Sequence, residues 1–205
     1  MNNTIRIFFK LILAAILLAL SAGARADLQT GVAAYDSGNY AVALMEFRPL
    51  ADGGNAKAQF ALGMMYTKGY GVQQDYTEAA AWYLKAAQQG MTLAQFNLGM
   101  MYRDGQGVPQ NFNEALGWLR KAGANGHVIA QYMLGVIYYK GHGVPQDYKE
   151  ARSWLRLAAE QGHPRAQHLL GMMYHNGEGG PQDYNEATMW FRKAAEQLRR
   201  MKETI

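Results

Sequence analysis

The sequence predicts an all-α protein, an α/α solenoid of about ten short helices stacked as helix–turn–helix units. Three observations carry this. Residue types return at a spacing of 36: Gly63, Gly99, Gly135 and Gly171; Tyr66, Tyr102, Tyr138 and Tyr174; Trp82, Trp118, Trp154 and Trp190. Within a unit the apolar residues fall at helical spacing, as Ala94, Leu98 and Tyr102 do at i, i+4 and i+8. Each unit is also punctuated by a Gly-rich connector and then by a helix-starting Asp or Asn. A fixed period in this range marks units that cannot bury their apolar faces alone and must lean on their neighbours.

Residues 1–26 stand apart as a signal peptide. Arg6 and Lys10 give a basic start, Leu11 to Leu20 is unbroken apolar chain, and Ala24-Arg25-Ala26 is a small–x–small cleavage pattern. Cleavage is therefore expected between Ala26 and Asp27, with a periplasmic or secreted mature chain. The apolar run is short of the about 20 residues that a spanning helix needs, and an uncleaved N-terminal anchor is the alternative. The full chain has 20 Lys and Arg against 16 Asp and Glu; without Arg6, Lys10 and Arg25 the balance is 17 against 16. That near-neutrality gives no case for nucleic acid, and the basic tail Arg199-Arg200-Met201-Lys202 reads as a solvated helix end. Cysteine is absent, so an exported chain must be held by packing, without disulfides, thiolate zinc sites or cysteine nucleophiles.

Residues 27–57 form a degenerate first unit with a shorter loop, an N-terminal capping hairpin in which Tyr40, Ala43, Phe47, Ala51 and Gly54 align with Tyr76, Ala79, Tyr83, Ala87 and Gly90. Full units follow over 58–93, 94–129, 130–165 and 166–205, the last with a C-terminal tail. In each first helix a glycine such as Gly99 costs about 1 kcal/mol relative to Ala. Its return in all four units implies a helix approach too close for a Cβ. In the connector, Gly105 ends the first helix in the left-handed conformation, Gly107 turns the chain, Val108 plugs the gap and Pro109 blocks further helix. A phosphate-binding loop would need a preceding strand and a Lys-Ser/Thr pair, which are missing. Gly180 replaces the valine in the last connector, which is expected to be looser.

The second helices open with Asp75…Glu78, Asn111…Glu114, Asp147…Glu150 and Asp183…Glu186, the pattern of a reciprocal capping box. Four identical copies at four helix starts argue for folding rather than for a catalytic acid pair. One Trp per unit fills space between alanines, with Trp118 expected to be packed on both sides and Trp190 to sit nearer a frayed end. Gly90, Gly126 and Gly162 end the inner units. Leu198 stands at that position in the last, so its helix should run on towards Lys202.

Taken together, Gln-x-x-Leu-Gly-x-x-Tyr, Gly-x-Gly-Val-Pro-Gln-Asp-Tyr-x-Glu-Ala and Trp-x-x-Lys-Ala-Ala-x-x-Gly closely resemble the Sel1-like repeat, a bacterial-rich relative of the tetratricopeptide repeat. The resemblance covers Ala58 to Gln197. It implies a right-handed α/α superhelix that acts as a scaffold for protein–protein contacts, and exported members resemble envelope-assembly, polysaccharide-secretion, signalling or host-contact factors. A cysteine-rich branch, some members of which are described as β-lactamase-like, carries two cysteines per repeat; this chain has none.

In the related tetratricopeptide repeats the first helices line a concave groove. Counted from the Leu-Gly pair, four columns face it here: Lys57/Leu93/Ile129/Arg165, Phe60/Phe96/Tyr132/His168, Met64/Met100/Val136/Met172 and Thr67/Arg103/Tyr139/His175. The partner-binding residues expected are Leu93, Phe96, Met100, Arg103, Ile129, Tyr132, Val136, Tyr139, His168 and His175, with packing between units as the alternative for the aromatic column. The last column is expected to be freed from packing. His168 and His175 share a face but lie seven residues apart, roughly 10 Å along a helix, too far for two ligands of one metal. Neither Ser37 nor Ser153 sits in Gly-x-Ser-x-Gly or Ser-x-x-Lys. The expectation is a non-enzymatic scaffold of the cell envelope, without cofactor or metal, gripping a protein or peptide partner. Its C-terminal edge is open to self-association. A secreted effector engaging a host protein and, more remotely, an envelope hydrolase are the rival readings.

Overall fold

The computed structural model describes residues 26–203. The predicted signal peptide, apart from Ala26, lies outside the described residues. Those residues form ten α-helices and no strand: α1 Leu28–Asp36, α2 Tyr40–Asp52, α3 Ala56–Lys68, α4 Tyr76–Gln88, α5 Thr92–Asp104, α6 Phe112–Ala124, α7 Val128–Lys140, α8 Tyr148–Glu160, α9 Pro164–Asn176 and α10 Tyr184–Glu203. Each helix packs chiefly on the one before and the one after it, so five hairpins stack into an α-solenoid. No helix among the described residues is long and apolar enough to cross a membrane.

Within each hairpin the helices touch at a glycine. A Cβ on Gly63, Gly99, Gly135 or Gly171 would lie 2.6, 3.1, 2.5 or 2.8 Å from Tyr83, Leu119, Leu155 or Phe191 of the facing helix. Gly31 meets Phe47 in the same way at 2.5 Å, which makes the degenerate first hairpin a true member of the stack. The close approach is what the helical glycine supplies in return for its poor propensity.

Between hairpins the seam is polar and buried. Gln59, Gln95, Gln131 and Gln167 are each no more than 5% exposed, and each side-chain amide donates to a carbonyl of the preceding helix, on Ala51, Ala87, Gly123 and Ala159, at 2.9–3.2 Å. Gln89, Asn125 and Gln161 in turn donate to the side-chain oxygens of Gln59, Gln95 and Gln131. The corresponding oxygen of Gln167 is buried without a partner. There the last helix continues instead of ending, and Gln197 stands near Gly162.

The connectors end α3, α5, α7 and α9 on left-handed glycines with φ between 67° and 73°. In three of these connectors the next glycine abuts the previous unit: a Cβ on Gly71, Gly107 or Gly179 would stand 2.9, 2.1 or 2.2 Å from the carbonyl oxygen of Tyr40, Tyr76 or Tyr148, whereas at Gly143 it would make ordinary contact with Phe112 at 3.5 Å. Gly180 was expected to loosen the last connector. In fact the guanidinium of Arg152 occupies the valine's place, lying 3.7 Å over the Tyr174 ring and against Gly180.

Two further expectations are corrected. The caps of the second helices are one-sided: Asp75 accepts from the amides of Thr77 and Glu78 at 2.8 and 3.1 Å, but its own amide already donates to the carbonyl of Tyr66. The amides of Asn111, Asp147 and Asp183 are spent in the same way on Tyr102, Tyr138 and Tyr174, so no donor is left for the glutamate. Glu186 instead accepts from the indole N–H of Trp190 at 3.0 Å. Nor is Trp190 frayed: it is 3% exposed against 9% for Trp118, and α10 extends past it to Glu203.

Candidate interaction surface on the first helices

The residues expected to bind a partner are graded in exposure along α5, α7 and α9. Leu93 and Ile129, near the helix starts, are about half exposed at 47% and 49%. Phe96, Tyr132, Met100, Val136, Arg103 and Tyr139 are half-buried, whereas His168, Met172 and His175 of the last unit are exposed. The aromatic column both packs and shows itself. Phe96 stacks on His127 at 4.3 Å and Tyr132 on His163 at 4.5 Å, each histidine belonging to the start of the next first helix. His168 tilts against Phe191 at 5.4 Å.

The last column is not uniformly free. Arg103 forms two hydrogen bonds with its neighbour Asp104, at 2.6 and 2.8 Å. Tyr139 meets the Tyr148 ring at 5.4 Å and points its hydroxyl at Glu178, 3.4 Å away in the next unit. His175 lies edge-on to Tyr184. Thr67 is turned inward, donating to the Gly63 carbonyl.

His127 and His163 have a role that the repeat pattern did not show. Each caps its helix, its Nδ1 accepting from the amide of Ala130 or Ala166 at 3.2 Å, where Asn55 caps α3 and Met91 leaves α5 without a side-chain cap. Only an unprotonated Nδ1 can accept. Burial lowers both pKa values below the ordinary 6.5, and Arg165 adds to the effect at His163. The signal was a histidine directly before a first helix, at the place where Asn55 stands.

A notch opens where α4 meets α5 and again, at the repeat spacing, where α6 meets α7. Thr67, Tyr76, Tyr83, Asn97, Met100, Met101 and Gln106 line one copy, of about 290 Å³. Arg103, Phe112, Leu119, Met133, Val136, Ile137 and His142, each 36 residues on, line the next, of about 470 Å³. The second is larger and more apolar because Leu119 replaces Tyr83 and Met133 replaces Asn97. The notch joins Arg103, Val136 and Tyr132 of the expected set, while Ile129 and Tyr132 border a further cavity with Arg165, Leu198 and Met201. Leu93, Tyr139 and His175 lie outside these cavities. That Leu119 departs from Tyr83 was readable in the sequence; that the lost ring leaves an open notch was not.

Ser37 and Ser153 both serve the backbone. Ser37 donates to the carbonyl of Ala34 and Ser153 to that of Lys149. Among the described residues no three His, Asp or Glu side chains gather at a spacing that could hold a metal ion.

Among solved structures, a Sel1 repeat protein from Oxalobacter formigenes superposes with a TM-score of 0.80 at 38% identity, over 83% of this chain and 70% of that one. A protective antigen present in uropathogenic Escherichia coli strains, c5321, which displays an SLR fold, superposes with a TM-score of 0.70 at 44% identity over 75% of this chain. This chain spans 33% of that antigen's length. A search of curated proteins returns no match. The Sel1 repeat matches four times in succession, over residues 56–91, 92–127, 128–163 and 164–197. The chain belongs to the Sel1 repeat family, whose members generally serve as protein-interaction scaffolds.

Proposed function

We propose that this protein is a non-enzymatic scaffold of the bacterial cell envelope that holds a partner protein or peptide along the concave face formed by its first helices. One observation carries the reading. Within this chain the glycine and glutamine seam is invariant across four units, whereas the first-helix face changes residue type from unit to unit and keeps Phe96, Tyr132, Met100 and Arg103 partly open to solvent. Aromatic residues, Met and Arg are the types enriched in interface cores. The signal-like residues 1–26 support export, with cleavage at Ala26–Asp27. The exposed Leu198 and Met201 of α10, 51% and 53% accessible, support self-association at the C-terminal edge.

Affinity capture from envelope extract with the wild-type chain and with an Arg103→Ala, Tyr139→Ala double variant tests the reading. The main partner is expected on the wild type and missing from the double variant. Equal recovery from both would move the site away from this face. The likeness to a protective antigen favours one second reading, a secreted effector that engages a host protein. Fractionation of periplasm against culture medium separates the two.

A further inference from the structure

The notch between the second and third full units is a mainly apolar opening on the first-helix face, and its surroundings state what would fill it. Its floor is Leu116, Leu119, Met133, Val136 and Ile137. Ile137 is only partly buried, although Met65, Met101 and Met173 at the same repeat position are buried. A position closed elsewhere in the stack is therefore open here. About 150 Å³ is enough to admit a benzene ring into an apolar cavity, and this notch measures about 470 Å³.

Charge on the first helices is one-sided. Over α3, α5, α7 and α9 stand Lys57, Lys68, Arg103, Lys140 and Arg165, with Asp104 the single carboxylate. The rest of the chain after residue 26 carries more acid than base, so the cations are gathered on these helices. Arg103 borders the notch itself. It is held only by Asp104 next to it in sequence, in a pair whose side chains are 37% and 36% exposed. Ion pairs so open to water are weak, and an incoming carboxylate can take over the guanidinium.

Resting on the groove reading above, we propose that this notch is an anchor site for one aromatic side chain of an extended, acidic partner segment. A carboxylate beside that aromatic residue takes Arg103. Met133 adapts the floor to the ring, as an unbranched thioether does. The preceding copy of the notch is smaller and carries Tyr83, Asn97 and Lys68, so it receives a polar side chain or none.

The chain itself supplies the blocking substitution. Tyr83 and Phe191 occupy the position of Leu119 in the first and last full units, each against the same helical glycine, so Leu119→Tyr is compatible with the fold. The test uses the purified full chain and three dye-labelled, end-blocked pentapeptides read by fluorescence anisotropy. One pairs a central tryptophan with aspartate, one replaces the aspartate by lysine, and one replaces the tryptophan by alanine. The first is expected to bind and the other two to bind at least tenfold more weakly. Leu119→Tyr should weaken the first peptide at least tenfold, Arg103→Gln several-fold, and Asp104→Asn should tighten it by freeing the guanidinium. Should Leu119→Tyr fold poorly, Met133→Asn, which copies Asn97, serves in its place with the same expected loss.

Equal binding of the aspartate and lysine peptides, or undiminished binding by a folded Leu119→Tyr or Met133→Asn variant, overturns the proposal. So does failure of the first peptide to bind. These outcomes leave the groove reading standing if capture of the envelope partner is still lost in the Arg103→Ala, Tyr139→Ala variant.

Discussion

The two faces of a first helix follow opposite rules. On the inner face of α7, Ala130, Gln131, Leu134 and Gly135 are buried, and the same four residue types occupy α3, α5 and α9. On the outer face, one repeat position is cationic in Lys57 and Arg165 but aliphatic in Leu93 and Ile129. The inner face is fixed by distances, because a Cβ on Gly135 would be 2.5 Å from Leu155 and the Gln131 amide must reach the Gly123 carbonyl. The outer face meets mostly water or a neighbouring ring. One helix can thus hold the stack and still vary what it presents.

The sharpest way to break this comparison is to put a methyl group on each kind of glycine. Gly107→Ala forces a Cβ to 2.1 Å from the Tyr76 carbonyl oxygen at a φ of 69°, and nothing flexible can give way. A loss of about 3 kcal/mol or more is expected in urea unfolding. Gly117→Ala, with no atom within 4 Å of the new Cβ, should instead gain roughly 0.5–1 kcal/mol from helix propensity. Similar midpoints for the two variants would mean that the connectors do not lock the units.

A smaller effect is expected along the polar seam. Gln131→Met keeps the side-chain shape but gives up two bonds, to the Gly123 carbonyl and from the Gln161 amide, which keep Gly126 as a second partner, a cost of about 1–2 kcal/mol. Gln167→Met gives up only the bond to Ala159, since the Gln167 oxygen has no donor. It should therefore cost less than Gln131→Met, and equal losses would show that the second layer of amides adds nothing.

The repeat, the helix order and the close-approach glycines were legible in the sequence because each rests on local chemistry that recurs: helical spacing, a turn glycine, a capping side chain. What escaped was pairwise and non-local. Gln59 and its equivalents stood in the quoted motif, but nothing in one sequence says that an amide reaches a carbonyl eight residues back across a turn. The capping glutamates were misread because the amide they would serve is consumed by a tyrosine carbonyl nine residues earlier. The looser connector at Gly180 was misread because Arg152, on another helix, fills the gap. The face itself was legible as a set of columns. Its notch was not, since an opening depends on which side chains fail to meet.

The histidine caps are expected to make the seam between units sensitive to acid. Both imidazoles have folded-state pKa values lowered below 6.5, so the unfolded chain binds protons first as pH falls. Their stabilising contribution is complete above about 6.5 and is lost as pH drops through the lowered values. Protonation removes the Nδ1 acceptor and places a cation at a helix N-terminus, beside Arg165 in the case of His163. A side-chain cap is worth about 1 kcal/mol, the upper bound on what each histidine loses as pH falls below about 6.5. Urea midpoints for a His127→Asn, His163→Asn variant should lose most of that pH dependence, because Asn55 already caps α3 without a titrating group. An unchanged pH dependence would assign the effect to other groups.

The smallest effect on stability is expected at Arg103, and there the comparison between faces is at its finest. Arg103→Ala removes an exposed pair with Asp104, and the melting temperature should shift by no more than about 0.5 kcal/mol would cause. Tyr139→Ala, one repeat on in the same column, removes a ring in contact with Tyr148 and a hydroxyl that points at Glu178. A cost of about 1 kcal/mol is reasonable for such an aromatic pair. The two single variants therefore separate what the sequence had joined. If partner capture falls with Arg103→Ala while stability is unchanged, the loss belongs to the surface. A loss seen only with Tyr139→Ala would trace to the joint between the third and fourth units. Equal destabilisation by both variants would mean that the outer face is built into the stack as firmly as the inner one.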